Sequence, residues 1–245
     1  MKKVRAMKDI IEIIKSIDTT HKNLNPTVIY NEGWMTRLLV RQSTIESLKL
    51  GIINFSNETK WTSEALISSP FIKVKKYPEG HTHADIAVGD FEINFSKRGE
   101  VEVDDNASIF GIIEAKMGSN LTPGTSHVKE YNQATRNLVC IAHNCLTKPD
   151  CKTFFYVVAP DKKIKDHDIN SQIALDFIKK QIENRFNLYP LEDIEKLNKV
   201  PIIKGVENCT ITAISYEKWI SMITDATAKK TLENFYAKAK IWNRI

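Results

Sequence analysis

The feature that most constrains this chain is an apolar run at residues 109–116, IFGIIEAK, that ends in charged side chains. Successive side chains of a strand point to opposite faces of a sheet, so Glu114 and Lys116 share one face. Ile113 and Ala115 share the other face. The run therefore predicts a buried strand whose end presents a carboxylate and an amine together.

A second strand is predicted to bring another carboxylate to the same place. Asp85 stands in HTHADIAVGD, and the segment between it and IFGII is polar and rich in turn residues. We predict strands at about residues 85–95 and 108–116 that pair as an antiparallel hairpin. With the turn near residues 99–100, Asp85 lies opposite Glu114.

Asp104 and Asp105 also precede Glu114 and are rival partners for it. They lie at the turn end of the predicted hairpin. A strand rises roughly 3.3 Å per residue, which would separate Asp105 from Glu114 by about 30 Å. The sequence therefore favours Asp85.

Two carboxylates and one amine at a single point suit a divalent metal. Mg²⁺ prefers oxygen ligands and needs only one or two carboxylates when it keeps several waters. A bound metal lowers the pKa of its water, and Lys116 is placed to orient that water or to offset negative charge. Taken alone, Glu114 and Lys116 have an alternative interpretation as an exposed ion pair at a strand end, which contributes little.

A helix is predicted upstream, in NEGWMTRLLVRQSTIESL. Its apolar residues follow helical spacing, with Asn31 as the cap. These residues are Trp34, Leu38, Ile45 and Leu48. Glu32 lies in the first turn, where the helix dipole favours an acid whether or not it has a catalytic role. Arg37 lies about one turn further on and is either a phosphate contact or a solvated residue.

A second helix is predicted downstream, with its cap at Ser126. Its sheet-facing residues fall at three- and four-residue steps: Val128, Tyr131, Thr135, Leu138, Ala142 and Cys145. Lys129, Gln133 and Arg136 form another stripe. The loop MGSNLTPGTSH joins the strand to this helix, and its Ser119 and Thr125 either contact a substrate or satisfy nearby backbone.

The order of Asp85, IIEAK and a helix with YNQATRNL resembles the PD-(D/E)XK nuclease superfamily over about residues 28–160. The resemblance implies an α/β fold with a restriction-endonuclease-like core. That core is a mixed sheet flanked by helices in the order αβββαβ, here with a C-terminal α/β extension in a single domain of residues 1–245. Ala84 stands where the family motif has proline.

The resemblance also implies a Mg²⁺-dependent nuclease in which Mn²⁺ can substitute. DNA is favoured over RNA as its substrate, and both stay open. Asp85, Glu114 and Glu32 would hold the metal. Lys116 would assist the attacking water and Gln133 would complete the site, although the family's tyrosine four residues after that glutamine is replaced by an asparagine. The candidate nucleic-acid contacts are Arg37, Ser119, Thr125, Lys129 and Arg136.

Two other classes of function stay open. One is a nucleic-acid-binding module that kept this fold without catalysis, and the other is a globular interaction protein. A homodimer is a further open alternative, because paired cuts in a duplex often require two subunits.

Composition agrees with a globular enzyme. With 245 residues, 42% of them hydrophobic, the chain can bury a core as one domain. Its formal net charge of +5 suits a polyanionic partner without proving one. The basic residues cluster near both ends, as phosphate-tracking arms or as solvated faces of amphipathic helices. They are Lys2, Lys3, Arg5, Lys8, Lys229, Lys230, Lys238, Lys240 and Arg244.

The sequence shows no secretory signal or membrane span, so we expect a cytoplasmic protein without a membrane partner. The four cysteines lack zinc-site spacing and are expected to be free thiols. The remaining chain predicts a buried strand in KTFFYVVAP, a helix at about 171–189, and a strand in NCTITAIS. Helices at about 216–223 and 226–241 follow.

Overall fold

The computed structural model describes residues 25–124 and 128–245. These residues form an α/β structure in which a mixed seven-stranded sheet is flanked by helices. The strands are β1 (Lys49–Leu50), β2 (Ile53–Asn54), β3 (Trp61–Ile67), β4 (Thr82–Gly89), β5 (Phe91–Asn94), β6 (Glu100–Val103), β7 (Ile109–Ala115), β8 (Lys152–Ala159) and β9 (Thr210–Ser215).

In the described residues, one helix precedes the strands, and the other helices follow β7. They are α1 (Glu32–Ile45), α2 (Gln133–Asn144), α3 (Asp161–Asp166), α4 (Ile169–Gln172), α5 (Leu175–Phe186), α6 (Leu191–Lys196), α7 (Lys199–Glu207), α8 (Tyr216–Ser221) and α9 (Ala226–Asn243). Short 3-10 turns occur at Pro26–Val28 and Phe95–Lys97.

The sheet has the strand order β5-β6-β3-β4-β7-β8-β9, while β1 and β2 form a separate small hairpin. Antiparallel pairs join β3 to β4 and β4 to β7, and parallel pairs join β7 to β8 and β8 to β9. The predicted strands KTFFYVVAP and NCTITAIS are confirmed as β8 and β9. Strand β8 is buried at every position after its first, because helices cover both faces of the sheet.

The predicted pairing of the two site strands is confirmed. In the β4–β7 ladder Ile86 lies opposite Ile113, and the next step along the ladder places Asp85 opposite Glu114. The prediction that residues 85–95 form one strand is wrong. Gly89 ends β4 with φ at 135°, and a Cβ there would lie 2.2 Å from the Ile109 carbonyl oxygen.

The chain therefore leaves β4 at Gly89 and builds a second hairpin from β5 and β6. The turn predicted near residues 99–100 belongs to this hairpin, in which Asn94 pairs with Glu100. Strand β6 then pairs with β3 in parallel, which makes β5 the edge strand of the sheet. The two site strands are thus antiparallel neighbours whose connection is a hairpin of its own.

Helix α1 has the predicted cap but a different buried face. The Asn31 side chain accepts a hydrogen bond from the Trp34 N–H at 3.0 Å. Trp34 and Ile45, predicted to face the core, are 37% and 51% exposed. The buried face is Met35, Thr36, Leu39, Val40, Ser43 and Thr44. The apolar side chains of α1 extend around more than one face, and packing against α9 decides which of them is covered.

Helix α2 begins later than predicted. Ser126 lies outside the described residues, and Asn132 is the observed cap, accepting a hydrogen bond from the Thr135 N–H at 2.8 Å. In the C-terminal half, the helix predicted at about 171–189 is shorter, as α5, and Phe177 on it is 42% exposed. The helices predicted after β9 are confirmed as α8 and α9.

The two faces of the sheet have separate apolar cores. One packs β7 and β8 residues such as Ile112 and Val157 against α2, α5 and α7. The other packs Ile113 and Tyr156 against α1, α8 and α9. Alternate residues of β7 thus enter opposite cores, as its sequence pattern predicts.

The cysteines are free thiols, as predicted; Cys140 is buried and the other three are partly buried. Among the residues that the structure covers, no helix is both long and apolar enough to cross a membrane.

Candidate active site

The end of β7 brings together the two carboxylates that the sequence singled out. Asp85 accepts a hydrogen bond at 2.7 Å from the Ala115 N–H through Oδ2, which ties β4 to β7 where their ladder ends. The Glu114 carboxyl is close enough to the Asp85 carboxyl to hydrogen-bond with it. This closeness follows from register, because the two residues occupy opposite positions on neighbouring antiparallel strands.

Glu114 is surrounded by donors on the buried side. Its Oε1 accepts from the Lys116 Nζ at 2.6 Å and from the Gln133 Nε2 at 2.6 Å. Its Oε2 accepts from the Asn137 Nδ2 at 2.9 Å. The predicted shared face of Glu114 and Lys116 is therefore confirmed, and Gln133 reaches this face from the first turn of α2.

The charged groups of the cluster lie close enough together to shift one another's pKa values. Glu114 is 1% exposed, and its burial together with the neighbouring Asp85 carboxylate raises its pKa to about 8, despite the opposing influence of Lys116. Burial works against the charge of Lys116, but Glu114, Asp85 and Glu32 outweigh it and raise the pKa of that amine. The cluster thus holds one fixed cation and a carboxyl that keeps its proton near neutral pH.

Glu32 approaches the cluster through the loop that leaves β7. Its Oε2 accepts from the Met117 N–H at 2.5 Å, and its Oε1 accepts from the Ser119 hydroxyl at 3.1 Å. Both carboxylate oxygens of Glu32 therefore hold the exit loop. Its predicted role as a metal ligand stays a prediction.

Asn137 is a functional candidate that the sequence interpretation missed. It stands one helical turn after Gln133 and binds the other oxygen of Glu114, while its own Oδ1 accepts from the Thr82 hydroxyl at 2.6 Å. The spacing of four residues from Gln133 was the available signal, since residues four apart share a helix face. The resemblance does not point to Asn137, because the family form has a tyrosine at that position.

Lys163 is a second missed residue. It is 7% exposed on α3, and its Nζ donates to the Met117 carbonyl oxygen at 3.3 Å. The sequence offers no signal for it, because it stands in the charged run DKKIKD and only the packing of α3 turns it inward.

The predicted nucleic-acid contacts are placed in several environments. Arg37 pairs with Glu64 at 2.9 Å, and Arg136 pairs with Glu79 at 3.3 Å. Ser119 donates to Glu32, as described above. Lys129 is exposed, and Thr125 lies outside the described residues. Whether any of these side chains contacts nucleic acid stays a prediction.

Strand β3 is irregular beside the site. Glu64 lies between the residues paired with Ala84 and Ile86, and its φ is 54°, in the left-handed region. A residue other than glycine in that conformation costs about 1 to 2 kcal/mol. The irregularity lies across from Asp85, and the Glu64 side chain turns outward to the ion pair with Arg37.

The donor set at the end of β7 fits a hard divalent cation. Asp85 and Glu114 supply carboxylate oxygens from opposite strands, which is enough for Mg²⁺ when water and substrate oxygens complete its shell. Among residues 25–124 and 128–245, no group of three or more His, Cys, Asp or Glu side chains is close enough to hold a metal. Both oxygens of Glu32 are engaged in the adjoining loop.

Comparison of the chain with protein-family models, with curated proteins and with solved structures returned no match.

Proposed function

We propose that this protein is a Mg²⁺-dependent nuclease that hydrolyses phosphodiester bonds, with DNA as its substrate. The observation that carries the proposal is the pair of opposed carboxyls, Asp85 and Glu114, with Lys116 on the same strand face and 2.6 Å from Glu114. A structural ion pair would need only one carboxylate for this lysine. The second carboxylate crowds the site with negative charge that a divalent cation offsets.

The order of elements supports the same proposal. Without the two small hairpins, the chain runs α1, β3, β4, β7, α2, β8. This order is compatible with the αβββαβ order proposed for a restriction-endonuclease-like core, with the later helices and β9 as an extension. On that proposal, Asp85 on β4, Glu114 and Lys116 at the end of β7, and Gln133 on α2 would correspond to the motif residues of the PD-(D/E)XK superfamily.

The roles of the side chains follow from their contacts. When bound, the metal would activate a water and stabilise negative charge on the phosphate. Asp85 and Glu114 would bind the metal through oxygens from two strands. Gln133 and Asn137 hold the Glu114 carboxylate in one orientation by donating to both of its oxygens. Lys116 keeps its proton on Nζ and orients the attacking water or offsets charge on the phosphate.

The formal net charge of +5 favours a polyanionic substrate. We propose that the protein acts on DNA in the cytoplasm and that Mn²⁺ can replace Mg²⁺. A homodimer would allow paired cuts in a duplex.

The test combines cleavage with metal binding. We expect the purified protein to degrade labelled DNA in Mg²⁺ or Mn²⁺ and to stop in EDTA. Lys116→Ala should lose cleavage yet retain DNA binding in Ca²⁺, with affinity that falls as salt rises. The same metals should raise the melting temperature of the wild type by mass action but not that of Glu114→Gln.

The outcomes separate the three classes of function. Metal-independent DNA binding with no cleavage and no metal-dependent rise in melting temperature would indicate a binding module. Absence of DNA binding at every salt concentration would indicate an interaction protein. Glu32→Gln tests the remaining candidate ligand: a slower cleavage rate at unchanged affinity would place Glu32 in the catalytic site, and unchanged cleavage would limit it to the exit loop.

A further inference from the structure

A basic cavity of about 260 Å³ adjoins the loop that leaves β7. Met117 forms its inner wall. Lys162, Lys163 and Arg244 contribute three cationic side chains, against the single side-chain carboxylate of Asp166. The cationic side chains that line the cavity therefore outnumber the anionic ones, which favours an anion over a cation.

Two of the cations are available to a ligand. Lys162 on α3 and Arg244 at the end of α9 are exposed. Within the described part of the chain, neither forms an ion pair or a side-chain hydrogen bond. Elements far apart in sequence therefore place unpaired positive charge around one cavity, which a bound anion would neutralise.

Lys163 adds positive charge at the bottom of the cavity. Its Nζ donates only to the neutral Met117 carbonyl oxygen among the partners that the structure describes. Burial lowers the pKa of Lys163, with the nearby Lys116 acting in the same direction and Glu32 against it. A buried ammonium without a contacting carboxylate is costly, so an anion in the cavity would offset that cost.

The cavity is tied to the candidate active site by one peptide segment. The Met117 N–H donates to Glu32, while the Met117 carbonyl accepts from Lys163. Met117 stands three positions after Glu114, so their Cα atoms lie at most about 11 Å apart. The cavity is therefore a neighbour of the candidate active site, and a DNA strand carries a phosphate at every nucleotide along its length.

We propose that this cavity, with Lys162, Lys163 and Arg244, is a phosphate-binding subsite for the DNA strand held in the candidate active site. The proposal rests on the proposed nuclease function. Its ligand is a phosphate group of the same strand, either an internal phosphodiester or a terminal phosphate. By holding that phosphate, the subsite fixes the position of the strand relative to Asp85 and Glu114.

A pair of double variants with equal net charge tests the subsite. The subsite variant is Lys162→Gln with Arg244→Gln. The control is Lys180→Gln with Arg98→Gln, which removes one exposed lysine and one exposed arginine away from the cavity. Arg98 and Arg244 both follow a helical turn with left-handed φ, at 61° and 56°, so their backbone settings also match.

The measurement is affinity for short single-stranded DNA in Ca²⁺ over a series of salt concentrations. We expect the subsite variant to bind at least about tenfold more weakly than the control. Its slope of log affinity against log salt should be smaller by about 0.7, for one lost phosphate contact on a single strand. Equal affinities and equal slopes for the two double variants overturn the subsite.

Three DNA ligands identify the source of the phosphate. If the subsite variant binds circular and linear strands more weakly by the same factor, the cavity holds an internal phosphodiester. If the subsite variant loses affinity only for linear strands with a phosphorylated end, the cavity holds a terminal phosphate. If both double variants lose the same affinity for circular strands and for linear strands with and without a terminal phosphate, the proposal is overturned.

Inorganic phosphate gives a readout that is independent of cleavage. The ³¹P resonance of phosphate should broaden with the wild type and the control but less with the subsite variant, and equal broadening contradicts the subsite. If the wild type cleaves DNA while both double variants bind alike, the subsite fails and the nuclease stands. If only the subsite variant loses phosphate binding and the wild type does not cleave DNA, the proposed nuclease function is wrong. The cavity is then still an anion-binding site.

Discussion

Two aspartates at opposite ends of the β4–β7 pair show what separates a structural carboxylate from a candidate catalytic one. Asp90 follows β4 and accepts hydrogen bonds from the Ser108 N–H and hydroxyl, both at 2.7 Å, and from the Ile109 N–H at 3.3 Å. Asp85, five residues earlier, accepts one backbone N–H and faces a second carboxyl. Both tie β4 to β7, but only Asp85 does so beside another carboxyl group, the buried one of Glu114.

The pKa values at the two ends shift in opposite directions. At Asp90, partial burial works against the charge, but the donors from Ser108 and Ile109 outweigh it and lower the pKa. At Glu114, burial and the Asp85 carboxylate raise the pKa to about 8. A carboxylate that accepts enough hydrogen bonds stabilises the fold. Two crowded carboxyl groups destabilise each other's charged form, and a bound metal ion can offset that repulsion.

The largest expected effect is on catalysis. Asp85→Asn should lower metal-dependent DNA cleavage by at least about 100-fold, because it removes a charged metal ligand. Asp90→Asn makes the same chemical change at the other end of the strand pair and should leave cleavage per folded molecule nearly unchanged. The DNA cleavage rates of both variants in Mg²⁺ test this difference between the two aspartates. An equal fall in rate for both variants would contradict it.

The next effect is the pH dependence of stability without metal. The folded pKa of Glu114 lies above its ordinary value of 4.5, at about 8, so folded Glu114 keeps a proton that unfolded chains release between these values. Its contribution to stability is complete below pH 4.5 and is lost as the pH rises towards 8, by up to about 1.4 kcal/mol per pH unit.

Denaturant unfolding of the wild type and Glu114→Gln in EDTA from pH 5 to pH 8 measures this loss. The free energy of unfolding should decline more steeply in the wild type, since glutamine does not titrate. Parallel pH profiles would show that Glu114 keeps its ordinary pKa in the folded protein. The steep decline should shrink when Mg²⁺ is added, because the metal binds the ionised carboxylate.

A smaller effect is expected on stability at the Asp90 end. Asp90→Asn should lower the free energy of unfolding by about 1 to 2 kcal/mol near pH 7, because a neutral amide is a weaker acceptor for three donors. Since the pKa of Asp90 is lowered on folding, its contribution is complete above the ordinary aspartate pKa and is lost progressively as the pH falls from there through the lower folded pKa. Unfolding at pH 7 and pH 3 should show a smaller difference between variant and wild type at pH 3 than at pH 7.

The smallest effect is expected from the charges around Asp90. Lys60 lies 2.6 Å from Glu92 and 3.4 Å from Asp104 on the protein surface. Lys60→Gln should leave the melting temperature and the cleavage rate unchanged within the reproducibility of the measurements, because exposed ion pairs contribute little. A marked fall in either quantity would show that the Asp90 end is more than structural.

Much of the site could be predicted because strand geometry is periodic. The alternation of IFGIIEAK places Glu114 and Lys116 on one face, and counting outward from the turn correctly places Asp85 opposite Glu114. The connection between the strands could not be predicted from that count. It depends on the close approach of Gly89 to the Ile109 backbone and on the hydrogen bonds from Ser108 and Ile109 to Asp90, which are contacts between residues distant in sequence.

Helix faces were less predictable than strand faces. Trp34 and Ile45 fit a helical apolar stripe, yet they are exposed because α9 and the sheet cover Met35 and Leu39 instead. Asn137 had the right spacing from Gln133, but its contact with Glu114 depends on the angle at which α2 crosses β7. Spacing fixes which residues share a face, and packing partners fix which face is covered.

The sequence by itself determined the local order of this protein: the buried strands, the cap of α1, and the shared face of Glu114 and Lys116. These depend on alternation and capping, which act over a few residues. Only the tertiary structure decided that Asn137 joins the site, that Glu32 holds the exit loop, and that Lys163 and Arg244 border one cavity. Those contacts join residues far apart in the chain, and their positions are set by how helices pack on the sheet.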